Sequence, residues 1–152
     1  MAGTPAQHGP DGGAHGAADP VDVLAVHQLY GRQSHAIDSG RAADWASTFT
    51  ADGEFHSPSY PDPSRGTAQL TAFAERFHRG CVEGGEVLRH VVSTVEVTTA
   101  GPDTLRARAY LQIVGTPTGA PSRLHRITTL DDELVRSPSG WRVRRRTVHR
   151  DA

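Results

Sequence analysis

The chain has 152 residues, 16 basic against 17 acidic side chains, a net charge of -1 with histidine neutral, and 36% hydrophobic residues. That is the length of one domain able to bury a single core, with no charge excess that would call for nucleic acid or an anionic membrane as partner. A single cysteine, Cys81, excludes an intrachain disulfide and a thiolate zinc site, and the absence of lysine excludes Schiff-base chemistry.

Residues 1–18 are rich in Gly, Ala and Pro without periodicity, which predicts a disordered tail before a single domain over residues 19–152. His8 and His15 belong to that tail composition rather than to a metal site. The tail has no apolar h-region, and no apolar run in the chain approaches the length of a membrane span, so the expectation is a cytoplasmic protein.

Order is expected to begin at "DPVDVLAVHQLYGRQSHAIDSG". Asp19 suits an N-cap, Pro20 the first helical position, and Asp22 the positive end of the helix dipole. Val23, Val26, Leu29, Tyr30 and Ile37 follow at helical spacing, and Gly40 closes the helix. "AADWASTF" predicts a second, short helix with Trp45 and Phe49 one turn apart. "TADG" reads as a turn, "EFHSP" as a short strand stopped by Pro58, and "SYPDPSRG" as a loop. "TAQLTAFAERFHRG" predicts a third helix, capped by Thr67, with Leu70, Phe73 and Phe77 on one stripe and Gly80 at its end.

Four long strands follow at about 86–98, 104–115, 123–136 and 141–150. Between them lie the turn sequences "AGPD", "TPTGAPS" and "SPSG". Three helices and a short strand before an antiparallel meander make the fold class α+β. On the first long strand, "EVLRHVVSTVEV" alternates, so with Arg89 in solvent His90 shares the other face with Leu88 and Val92. Either His90 is a satisfied core histidine or it faces a pocket.

The order of these segments resembles the NTF2-like superfamily, in particular its SnoaL-like, scytalone dehydratase-like and ketosteroid isomerase-like members. The resemblance rests on "HAIDSGRAADWASTFTADGEFHSPSYPDPSRG", on the "RH" of the first long strand and on "LDDELVRSPSGWRVRRRTV", and spans about residues 20–150. It implies a cone of three N-terminal helices packed on a curved, mostly antiparallel sheet around a pocket. Dehydratase-like members resemble this chain in carrying a pocket His on the first long strand, which places His90 in the pocket. Where the dehydratase has a second catalytic His, Ala109 stands, and its pocket Asn is absent. Identical dehydratase chemistry is not implied.

The candidate catalytic group is His90 as base, oriented by Asp38, with Tyr30 as a phenol partner. Tyr30, Ser34 and Asp38 share one helix face, although Tyr30 could equally be a core aromatic and Asp38 a cap. His56, Tyr60, Trp45, Ala109, Leu111 and Leu130 are candidate substrate-binding residues. His56 could instead sit at the rim and Tyr60 on a surface loop. Asp132 is read as half of an ion pair with an arginine, and His125 as a surface or interface residue. Arg142, Arg144, Arg146 and Arg150 are read as one solvated or dimer-facing strand face, and Arg145 and His149 as lying on the face of Val143. Cys81 has no activating neighbour, and His27 and His35 are too far apart along their helix to form a metal pair.

These features predict a cofactor-independent, metal-independent acid/base enzyme acting on a hydrophobic small molecule through an enolate, as a cyclase, dehydratase or isomerase. It would serve bacterial secondary metabolism and form a homo-oligomer, dimer or trimer, through its sheet. The alternative is a non-catalytic NTF2-like module that binds a ligand or only dimerises.

Overall fold

The computed structural model describes residues 16–151, so the tail expectation for residues 1–15 lies outside the described residues. The elements are β1 (Gly16–Ala17), α1 (Pro20–Asp38), α2 (Ala42–Ala46), β2 (Phe49–His56), β3 (Ser64–Arg65), α3 (Gly66–Glu83), β4 (Glu86–Gly101), β5 (Thr104–Pro117), β6 (Arg123–Ser137) and β7 (Gly140–Arg150). Gly16 and Ala17 pair with Thr99 and Thr98, so two residues expected in the tail belong to the sheet.

Local chemistry accounts for the boundaries of α1. The Asp19 carboxylate accepts from the Val21 N–H at 2.8 Å, and Pro20 fills the first turn. Val26, Leu29, Tyr30 and Ile37 are buried as their spacing predicts. Gly40 turns the chain at φ +73°, where a Cβ would lie 2.5 Å from the His78 ring. The third helix departs from expectation at both ends. Thr67 is not its cap, because Arg65 holds the N-cap position without a side-chain hydrogen bond. The helix continues through Gly80 to Glu83, and Gly84 and Gly85 end it.

The seven strands form one sheet in the order β1-β4-β5-β6-β7-β2-β3, antiparallel throughout except for the parallel pair β2–β7. "TADG" is not a free turn. It is an irregular stretch inside β2, where Phe49 pairs with Val143 and Glu54 with Arg145. Gly53 allows this crowding, since a Cβ there would meet the Phe49 Cβ at 2.8 Å. Further register shifts fall near Thr94, His125 and Arg144. Such bulges add local twist and bend the sheet into the cone.

Arg144 has a second effect. Its insertion reverses the alternation of β7, so Trp141 and Val143 point inward and are followed inward by Arg146 and Val148. Strict alternation had put Arg146 outside and Arg145 and His149 inside. All three are the other way round, and so is Arg150, expected on the outer face but paired with the inward Thr128 and reaching Ser59. Helix α1 packs on β4 and α3 on β2. Between them and the sheet lie Val26, Phe49, Leu70, Leu134 and Val143, each buried and worth about 1.5–3 kcal/mol of transfer free energy.

Candidate active site

Helices and sheet leave an apolar cavity. It is lined by Ile37, Trp45, Phe55, Phe73, Phe77, Leu111, Ile113, Leu130 and Val148, with Ser57, Ser59, Tyr60, His90, Arg126, Thr128 and Arg146 as its polar groups. Trp45, Phe55, Phe73 and Tyr60 pack edge to face or tilted, with Tyr60 and Phe73 at 5.0 Å and 89°. The free volume is about 70 Å³, room for about two waters and well short of the roughly 300–1,000 Å³ of drug-sized ligand sites. A ring-bearing ligand therefore enters only if the cavity widens. Burial pushes the Tyr60 phenol above its ordinary range, so this hydroxyl at the mouth is a neutral donor.

Asp38 is the last residue of α1, where a carboxylate opposes the helix dipole by about 0.3–1 kcal/mol. The exposed edge of β4 offsets that cost. The His90 backbone N–H donates to Asp38 Oδ2 at 3.1 Å, and His90 Nδ1 meets Asp38 Oδ1 at 2.7 Å. The two side chains are only 14% and 7% exposed. Phe77 covers the imidazole, with ring centroids 5.2 Å apart. With Nδ1 as donor to the carboxylate, Nε2 carries a free lone pair, and it has no partner among the described residues.

Tyr30 does not join this pair. Its hydroxyl donates to Asp132 Oδ2 at 2.7 Å. Arg146 holds the same carboxylate through Nε and Nη2 at 2.8 and 2.7 Å, and Nη2 also donates to Gln33 Oε1 at 2.9 Å. Gln33 continues the chain to Thr48, and Thr48 to the Trp45 carbonyl. Burial, and then Asp132, push the Tyr30 phenol well above its ordinary value. Burial opposes the charge on Arg146, but Asp132 and Tyr30 outweigh it and raise its pKa. The ion pair expected of Asp132 is thus present, with a partner that the bulge at Arg144 turns inward. One residue of the phenol–base proposal is thereby assigned to the framework instead.

The remaining expectations divide. Trp45, Tyr60, Leu111 and Leu130 line the cavity. Ala109 does not; it is buried in the main core. His56 does not either, because its place on β2 turns it to the outer side of the sheet, where it meets Glu54 and Arg145. The hydrogen bond from His56 holds the Glu54 carboxyl below its usual range. His125 pairs with Glu86 and His149 with Asp131. Burial pushes the Cys81 thiol up, in keeping with an unreactive cysteine. Among the described residues no three His, Cys, Asp or Glu side chains are placed to hold a metal ion, and no helix is long and apolar enough to cross a membrane. Arg126 and Thr128 also line the cavity and were not among the expected site residues; their period-two spacing with Leu130 along "RITTL" is the sequence signal that places them on its side of β6.

A curved α+β cone, helices on its concave side and an enclosed apolar hollow define the NTF2-like fold. Within it, the chain belongs to the SnoaL-like domain family, whose model matches residues 21–147. Among solved structures it is similar to Aln2 from a Streptomyces species, with 27% identity, 89% of this chain and 94% of that chain covered, and a TM-score of 0.80. It is likewise similar to ActVI-ORFA from Streptomyces coelicolor, with 27% identity, 85% and 94% coverage, and a TM-score of 0.77. A structure from Catenulispora acidiphila in complex with S-DNPA is 26% identical, covers 88% of this chain and 96% of that chain, and has a TM-score of 0.76. No curated protein matches the chain.

Proposed function

We propose that this SnoaL-like protein is a cofactor-independent acid/base enzyme that enolises a hydrophobic carbonyl compound, as a polyketide-type cyclase, dehydratase or isomerase in the cytoplasm of a bacterium. The observation that carries the reading is the buried His90–Asp38 pair, hydrogen-bonded through Nδ1 at 2.7 Å, on the wall of an apolar cavity. His90 Nε2 takes the proton from the carbon next to the carbonyl. The C–H electron pair becomes the carbon–carbon double bond of the enolate, and the carbonyl π pair moves to oxygen. The proton then returns to carbon, or the enolate expels or attacks a second group. Asp38 fixes the tautomer and stabilises the imidazolium formed on the way. Tyr30 is spent on Asp132, so donors on the cavity wall must serve the enolate oxygen.

The outer face supports a homodimer through the sheet. Val91, Tyr110 and Ile127 lie on adjacent strands there and are 43%, 48% and 39% exposed. The catalytic reading is tested with 2-tetralone in D2O. Wild type is expected to accelerate deuterium incorporation next to the carbonyl, and His90→Gln to return it to the rate without protein. Equal exchange in both proteins would overturn it. Binding of the ketone without exchange would make the protein a binder.

A further inference from the structure

The β6 wall of the cavity carries polar groups that the proton transfer does not use. Arg126 and Thr128 point inward two residues apart and both line the hollow. Thr128 is 2% exposed, and its hydroxyl is the buried side-chain polar atom without a hydrogen-bond partner among the described residues. Valine would fill the same space without leaving a donor and acceptor unmade, so the hydroxyl points to a partner that arrives from the cavity.

Toward the mouth, Arg126 Nη1 donates to Ser59 Oγ at 2.8 Å and Arg150 Nη2 donates to the same oxygen at 2.9 Å. Two like charges therefore converge on one neutral hydroxyl. No carboxylate of the described residues lies within 4.0 Å of either guanidinium, although Asp151 borders the same surface hollow. On the same two strands, Arg123, Arg136, Arg144, Arg145 and Arg146 each have a carboxylate partner, while Arg142 at the far end of β7 donates to the Ser139 hydroxyl. Arg126, Ser59 and Tyr60 line the cavity together, and Arg126 and Arg150 also share the adjoining surface hollow.

We infer that the ligand of this cavity is a hydrophobic carbonyl compound that also carries a carboxylate. Arg126, backed by Arg150, binds the carboxylate at the mouth in place of the Ser59 hydroxyl. Thr128, deeper along the strand, donates to a neutral oxygen of the same ligand. The inference rests on the cavity being the substrate site of His90. A guanidinium matches a carboxylate through parallel N–H donors, and such charge-assisted bonds are about twice as strong as neutral ones.

The test is calorimetric binding of 6-acetyl-2-naphthoate and of its neutral counterpart 6-acetyl-2-naphthamide at low salt. Wild type is expected to bind the acid about tenfold or more tightly than the amide. Arg126→Gln should bring the two within about twofold of each other, with the acid losing far more affinity than the amide. Thr128→Val should weaken both probes about fivefold, with a melting temperature at or above wild type; the thermal measurement separates a lost ligand contact from misfolding. Equal binding of acid and amide by wild type overturns the inference, as does an acid preference that survives Arg126→Gln or failure of both probes to bind. Unaltered affinity in Thr128→Val removes Thr128 from it. Exchange on 2-tetralone without an acid preference sinks this inference and leaves the catalytic reading. Loss of both exchange and binding sinks the two together.

Discussion

Asp38, at the end of α1, and Asp132, on the inner face of β6, are both carboxylates with little exposure, and their partners differ. Asp132 accepts from Arg146 twice and from Tyr30 once, and the chain runs on through Gln33 and Thr48 into α2. It ties α1, β6 and β7 together and offers nothing reactive to a ligand. Asp38 binds the backbone and Nδ1 of one histidine, whose Nε2 has no partner among the described residues and whose ring belongs to the lining of the apolar hollow. Pairing alone does not make the difference. His56, His125 and His149 also have carboxylate partners, and each spends its Nε2 on them. In the proposed function, what separates His90 from these framework histidines is the atom left unpaired and the cavity it lines.

The comparison can be broken from either side. His90→Gln should lower 2-tetralone exchange by about 10²–10⁴-fold while shifting the melting temperature little. Asp132→Asn should do the reverse: about 3–5 kcal/mol of stability lost in urea unfolding, because Arg146 is left buried without its charge partner. Replacing Asp132 by Leu and Arg146 by Met together should recover much of that loss. Asp38→Asn keeps the shape but no longer dictates which ring nitrogen carries the proton. Roughly a 10²-fold loss of exchange is expected, less than for loss of the base itself.

The smallest effect is alkaline. The folded-state pKa of Tyr30 is raised above its ordinary value of 10.0, mainly by burial. Below about pH 10 the phenol is neutral in both states, and its contribution to stability is complete. Above that pH the unfolded chain ionises first, so stability should fall as pH rises toward the folded-state pKa. Melting temperatures of wild type and Tyr30→Phe between about pH 9 and 11 should converge as the pH rises. A gap that stays constant would show that the phenol titrates alike in both states.

Much of this was legible in the sequence where local rules act alone. The helix starting at Asp19 and Pro20, the turns between the long strands and the inward placing of His90 all follow from neighbouring residues. No register shift precedes Ser93 on β4, so plain alternation holds at His90. On β7 it fails, because "RVRRRT" offers no sign of which arginine is the extra one. The bulge at Arg144 is set by pairing with β6, and it hid the partner of Asp132. Tyr30 and Asp132 are 102 residues apart, a contact that only the closed cone creates. His56 was misplaced for a related reason. The irregular stretch after Phe49 and the parallel pairing with β7 decide which way β2 faces, and neither is a local property. Ala109 lies on the inward face as expected, but its part of that face is core rather than cavity.

The central claim is that His90 presents a free basic Nε2 to the cavity while Asp38 holds its Nδ1–H. Nitrogen-15 NMR of histidine-labelled protein reads this directly. The account predicts one histidine in the Nδ1–H tautomer, lost in His90→Gln, whose Nε2 resonance shifts on adding 2-tetralone. An Nε2–H tautomer for His90, or an Nε2 resonance indifferent to the ketone, would contradict it.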